Sequence, residues 1–136
     1  MIGELPEPIL MSVLETLPVE FAVVDANGKV LAWNKQESRA FKRPANALGR
    51  NVRDVHPKED QAQVEQIMSE MKSGKRDKAR FWIDMELTPG APKQKMLIEY
   101  FALRDSAGNY LGCLEANQNI AEIQKLEGQR RVLDSE

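Results

Sequence analysis

Apolar residues recur along this chain with two different periods, and the switches between them predict the order of its elements. Ile9, Leu10, Val13, Leu14 and Leu17 fall at helical spacing between the prolines at 6 and 8 and Pro18, which predicts a short amphipathic helix with one face in need of cover. Phe21 to Val24 is an apolar, β-rich run, Asp25-Ala26-Asn27-Gly28 has turn chemistry, and Val30 to Trp33 resumes the strand, so a hairpin is expected. From Asn34 to about His56 the strand pattern disappears into short helical pieces, with Asn34 a candidate N-cap, Pro44 a start signal and Gly49 a stop. After Pro57, the residues Val64, Ile67, Met68 and Met71 share one face of a longer helix that ends at Ser73-Gly74 and should lie on a sheet. Ala79, Phe81, Ile83, Met85 and Leu87 then alternate with Arg80, Trp82, Asp84 and Glu86, the period of a half-buried strand. A turn at Thr88 to Pro92, a long strand from Lys95 to Arg104, a turn at Asp105 to Asn109 and a last strand from Tyr110 to Asn117 complete the order.

From Asn119 onward, Ile120, Ile123, Leu126 and Leu133 stand among Glu, Gln, Lys and Arg, predicting an amphipathic helix interrupted by Gly128 and too short to hold itself together in water. Such a tail either packs on its own domain or serves as a signalling or dimer helix. The chain divides into a helical extension over 1–17, a core over 18–119 and a helical tail or linker over 120–136. A sheet and the helices lying on it cover one another, so the stripes outside that core need another surface. Packing across a two-fold axis would cover them, as would folding back onto the solvent face of the domain's own sheet; Ile9, Leu10, Val13, Leu14 and Leu17, with Ile123 and Leu126, are the candidate homodimer residues.

Composition narrows the function classes. With 136 residues, 42% hydrophobic and 29% charged, the chain fits one modest domain. A formal net charge of -2 lacks the positive field that nucleic acid or an anionic membrane requires. The one basic cluster, Lys72, Lys75, Arg76, Lys78 and Arg80, has no interleaved aromatics for base stacking and reads as a solvated hairpin. No signal peptide or long apolar run is seen, so a cytoplasmic protein is expected. The lone Cys113 and lone His56 cannot supply a disulfide or a Cys/His zinc site, and no metal site is expected. Glu59, Asp60 and Glu86 have no nucleophile, metal set or phosphate loop beside them, so no enzyme and no catalytic residue is expected.

Two strands, short helices, one longer helix and three antiparallel strands, read with several local motifs, resemble the PAS sensory domain. The motifs are Phe21 to Gly28 followed by Val30 and Trp33-Asn34, the Leu48-Gly49-Arg50 turn, Leu103-Arg104-Asp105 with Gly108, and Leu111-Gly112. Asn119-Ile120-Ala121 stands where many PAS domains have Asp-Ile-Thr before a linking helix. Val52 to Pro57, Phe81-Trp82-Ile83 and Lys125 to Gly128 resemble PAS modules often joined to hemerythrin-like domains in bacteria and archaea, although one histidine cannot build a di-iron site. The resemblance implies an α+β fold, a five-stranded antiparallel sheet with helices on one side, in a bacterial signalling module that needs a separate output protein.

It also implies a cavity between sheet and helices. Candidate lining residues are Val52, Val55, His56, Val64, Ile67, Met68, Met71, Phe81, Ile83, Ile98 and Leu114, and the same residues would also describe an ordinary filled core. The light-sensing branch of the family carries its reactive cysteine in Gly-x-Asn-Cys-Arg, whereas this chain reads Gly49-Arg50-Asn51-Val52-Arg53 and has Met96 where that branch uses an amide. Flavin photochemistry is disfavoured. PAS haem sensors use a histidine from the helical side, for which His56 is the candidate, but its place before Pro57 fits a structural role at the helix entrance. The cofactor is unknown from sequence. Cys113 reads as a small buried apolar residue, and Trp33 and Trp82 as packing or interface residues. The expected function is a sensor that binds a small ligand or protein partner and dimerises, with a haem or redox sensor and a ligand-free dimerisation domain as alternatives.

Overall fold

The computed structural model describes residues 1–133, and Asp134 to Glu136 of the predicted tail lie outside the described residues. The elements are α1 (Glu7–Thr16), β1 (Glu20–Asp25), β2 (Val30–Trp33), two 3₁₀ turns at Ala45–Ala47 and Val52–Val55, α2 (Lys58–Lys72), β3 (Lys78–Met85), β4 (Gln94–Arg104) and β5 (Tyr110–Asn119). The five strands form one sheet in the order β2-β1-β5-β4-β3, with every neighbouring pair antiparallel. The α+β PAS architecture expected from the sequence is thus present. Strand β3 stops at Met85 rather than Leu87, and β5 runs to Asn119, where it pairs with Met96.

Two turns of the same chemistry close the β1–β2 and β4–β5 hairpins. Asp25 Oδ1 accepts from the backbone N–H of Asn27 and Lys29 at 2.9 and 3.0 Å, and Asp105 Oδ1 accepts from those of Ala107 and Asn109 at 3.0 and 2.9 Å. In each, the glycine three residues on has positive φ, +81° at Gly28 and +85° at Gly108, which no β-carbon obstructs. Gly112 answers a different need. A β-carbon there would stand 2.1 Å from the Val24 carbonyl oxygen, so only glycine lets β5 approach β1.

Helix α2 crosses one face of the sheet and buries Val64, Ile67 and Met71 against Val24, Val30, Val52, Ala79 and Cys113. Its C-terminus is closed by Arg104, which donates from Nη2 to the Met71 and Arg76 carbonyls at 2.7 and 3.3 Å and from Nε to Asp77 at 3.0 Å. That contact satisfies carbonyls the helix leaves open and places a cation at its negative end.

Three expectations need correction. Asn34 caps no helix: its side chain is buried, accepts from Phe21 N–H at 2.7 Å and donates to the Leu14 and Val19 carbonyls at 2.8 and 3.1 Å. Among its described residues the tail forms only a 3₁₀ turn at Ile123–Lys125, because Gly128 interrupts the segment and Leu126 and Leu133, 77% and 90% exposed, meet no apolar surface. Leu114 lies on the outer face of the sheet, since successive strand residues alternate and its neighbours Cys113 and Glu115 face α2. Helix α1 buries none of its residues and is tied to the core by polar bonds, the one from Asn34 to Leu14 and two between Lys35 and Glu15 at 2.9 and 3.0 Å.

Candidate functional site

The segment after β2 is held over the inner face of the sheet by a buried ion pair. Arg39 lies 3.4 Å from Glu20 Oε2 and donates to the carbonyls of Phe21, Asn34 and Phe41, each at 3.0 Å. Glu20 Oε1 accepts from the N–H groups of Ala40 and Phe41 at 3.2 and 3.3 Å. Removal from water lowers the Arg39 pKa from its ordinary value while the facing Glu20 raises it. Backbone groups satisfy Arg39 Nε and Nη1 and Glu20 Oε1, which offsets much of the cost of burying the pair, while Arg39 Nη2 and Glu20 Oε2 have no hydrogen-bond partner among the described residues.

Beyond that anchor, the loop through Phe41–Arg43, the turn around His56, α2 and the inner faces of β3 to β5 line a cavity of about 630 Å³ that is open to solvent on one side. Its volume falls within the range of small-molecule sites, ~300 to 1,000 Å³. The walls are mainly apolar, with Phe81 and Tyr100 edge to face at 6.1 Å and 78°. Burial, with Glu115 adding to it, pushes the Tyr100 phenol well above its ordinary pKa, so it remains a neutral hydroxyl.

One end is polar. Arg43 Nη2 donates to Glu115 Oε2 at 3.0 Å, Asn117 Nδ2 donates to Glu115 Oε1 at 3.1 Å, and His56 Nε2 stands 4.0 Å from Glu115 Oε2. His56 Nδ1 bonds the Val52 carbonyl at 2.9 Å, which fixes the ring at the entrance to α2. The side chains of Arg43, Glu115 and His56 are 9%, 11% and 13% exposed, so the charges act largely away from bulk water. Register explains the placement: Glu115 pairs with Ala22 on β1 and with Tyr100 on β4, and the small Ala22 leaves room for the guanidinium.

Of the residues singled out in the sequence, Val55, His56, Val64, Ile67, Phe81, Ile83 and Ile98 line this cavity, with Ile83 at its exposed rim. Val52 and Met68 face two smaller spaces beside it, of about 10 and 250 Å³, while Met71 is fully buried in the packed core. Leu114 is on the other side of the sheet. Arg43, Tyr100 and Glu115 were missed. The alternation of β5 contained the signal, but its apolar parity, Leu114 and Ala116, faces outward and its polar parity, Glu115 and Asn117, faces in.

Cys113 lines the 10 Å³ space, and burial, helped by Glu115, pushes its thiol up to about 12. Val52, which the sequence resemblance sets against the adduct-forming cysteine of the light-sensing branch, is a buried side chain without a thiol. Among the described residues, no group of three His, Cys, Asp or Glu is gathered to hold a metal ion, and no helix is long and apolar enough to cross a membrane.

The sequence profile of the PAS domain family matches residues 10–121. No curated protein matches the chain. Among solved structures, the C-terminal domain of a Streptococcus mutans protein is similar at 28% identity and a TM-score of 0.83, covering 93% of this chain and 94% of that one. The PAS domain of BvgS from Bordetella pertussis is similar at 17% identity and a TM-score of 0.61, covering 87% and 90%. The VqmA dimer from Vibrio cholerae is similar at 18% identity and a TM-score of 0.62, covering 98% of this chain and 59% of that one.

Proposed function

The chain belongs to the PAS domain family, whose members are sensory modules in signalling proteins, and we propose that it senses a small molecule held between α2 and the sheet. The observation that carries this reading is the cavity of about 630 Å³, with apolar walls and one buried polar end. A core filled for stability alone would close such a space, because every missing contact costs packing energy.

A physical route runs from that cavity to α1. Arg43 lines the site, Arg39 four residues earlier anchors the same loop and bonds the Asn34 carbonyl, and the Asn34 amide holds the Leu14 carbonyl in α1. A ligand that shifts the loop changes the seat of α1, and α1 with its exposed apolar stripe joins two copies into a homodimer. Similarity to the VqmA dimer supports dimerisation as an arrangement compatible with this fold. The change at α1 is passed on to a signalling output, and the setting is cytoplasmic.

Native mass spectrometry of protein purified from cells without denaturation tests the reading. A retained molecule of a few hundred daltons, lost on denaturation, is expected. Protein that is free of ligand and whose cavity admits no small apolar probe overturns it.

A further inference from the structure

The polar end of the cavity sets a requirement on what enters. His56 Nδ1 lies 2.9 Å from the Val52 carbonyl oxygen; a carbonyl only accepts, so Nδ1 carries the hydrogen, and in the neutral ring Nε2 presents a bare lone pair. Facing it at 4.0 Å is Glu115 Oε2, a second acceptor. Neither can donate to the other. A nitrogen placed about 2.9 Å from each, the ordinary N–H···O distance, sees them at roughly a right angle, so an NH₂ group reaches both with modest bending. Beside this pair is a donor: Arg43 gives Nη2 to Glu115 at 3.0 Å, and its Nε is buried with no hydrogen-bond partner among the described residues.

Charge limits the choice further. The lining carries two cations, Lys42 and Arg43, and two anions, Asp60 and Glu115. Lys42 and Asp60 are exposed, whereas Arg43 and Glu115 are largely buried and neutralise each other, so an ion entering beside that pair leaves one charge without a counter-charge, at the high cost of a desolvated ion. A neutral head that both donates and accepts meets the groups present without upsetting the balance. Phe81 and Tyr100 supply wall surface for a flat apolar body.

We propose that the ligand is an uncharged small molecule of the primary-amide or amino-azine class, whose NH₂ bridges His56 Nε2 and Glu115 Oε2 while its adjoining acceptor takes a hydrogen bond from Arg43. This rests on the cavity reading above and adds the chemistry of the head group.

Four probes of one ring and similar size isolate the head: benzamide, benzoate, benzylammonium and toluene, titrated into the intact chain and followed by NMR shifts of cavity residues. Benzamide is expected to bind at least ten-fold more tightly than either ion, and His56→Phe to reduce that preference to about two-fold while toluene still binds. An ion that binds as tightly as benzamide overturns the proposal, as does a preference unchanged in a folded His56→Phe variant. The probe ranking on the unaltered chain decides the matter if that variant fails to fold. Entry of toluene with no advantage for benzamide overturns the head-group assignment alone, whereas exclusion of all four probes overturns the cavity reading as well.

Discussion

Two residues of this core carry consequences that follow from their immediate surroundings. Cys113 is buried and its thiol is pushed up to about 12, so the folded chain holds almost no thiolate at pH 8. Iodoacetamide at that pH is expected to label the native chain at least 100-fold more slowly than the chain unfolded in guanidinium. The sign of the linkage also follows. An unfolded thiol loses its proton near its ordinary value of about 8.5, before the folded one does, so this contribution to stability is full below about 8.5 and is lost as pH rises towards 12. Denaturation midpoints should fall more steeply over that window in the parent than in Cys113→Ala. Gly112→Ala would place a β-carbon 2.1 Å from the Val24 carbonyl oxygen and part β5 from β1, an expected loss of about 3 kcal/mol in chemical denaturation. Gly112 was legible in sequence as a motif residue, and Cys113 as a buried apolar one. Asn34 was misread because an Asn before a helical stretch is a common cap, whereas here its amide bonds backbone groups up to 20 residues away.

At the scale of elements, local chemistry and tertiary contact separate cleanly. The twin Asp-x-x-Gly turns and the apolar face of α2 are written in adjacent residues, so the hairpins and the long helix were legible. The tail was not, since amphipathic spacing states which face a helix would bury but not that a surface awaits it, and Leu126 remains exposed. The parity of β5 failed for a related reason. Hydrophobic alternation assumes an apolar inner face, while this strand turns Glu115 and Asn117 inward because Arg43, with Glu20 and Arg39 nearby, lets charge be matched there. Arg104 links two elements that sequence separation hides, closing the C-terminus of α2 from the end of β4. Arg104→Ala is expected to cost about 2 kcal/mol of stability, since a partly buried charge-assisted bond and a helix-end interaction disappear together. Amide exchange should quicken at Lys75 and Arg76, whose N–H groups bond the Glu70 carbonyl, before it does in β5. Equal acceleration throughout the sheet would show that Arg104 holds the whole domain and not the helix end.

For the whole molecule, the question is what covers α1. Ile9, Leu10, Met11 and Val13 are 51%, 41%, 54% and 39% exposed, and no residue of the helix is buried, so it does not fold back to bury its stripe on its own sheet. The outer face of the sheet is also apolar in part, with Trp82 62% exposed and paired across β3–β4 with Leu97. A monomer therefore shows water two apolar surfaces at once, more than a lone soluble domain ordinarily leaves open. Joining two copies through α1 buries Ile9, Leu10 and Val13 on each, and fully burying one such side chain is worth roughly 1.5 to 3 kcal/mol before association costs. Only part of each side chain is at stake, so a dissociation constant near the micromolar range, about -8 kcal/mol, is the reasonable scale. The intact chain is expected to sediment as a dimer at tens of micromolar, which lies well above that constant. Leu10→Glu and Val13→Glu together place like charges across a two-fold axis, and the expected result is a monomer with an unchanged circular dichroism spectrum. Removing residues 1–17 should likewise leave a soluble folded monomer, apart from the two hydrogen-bonded anchors that Asn34 and Lys35 lose. Sedimentation of the unaltered chain as a monomer at that concentration refutes the assignment, and aggregation of the shortened chain would show that α1 shields its own domain instead.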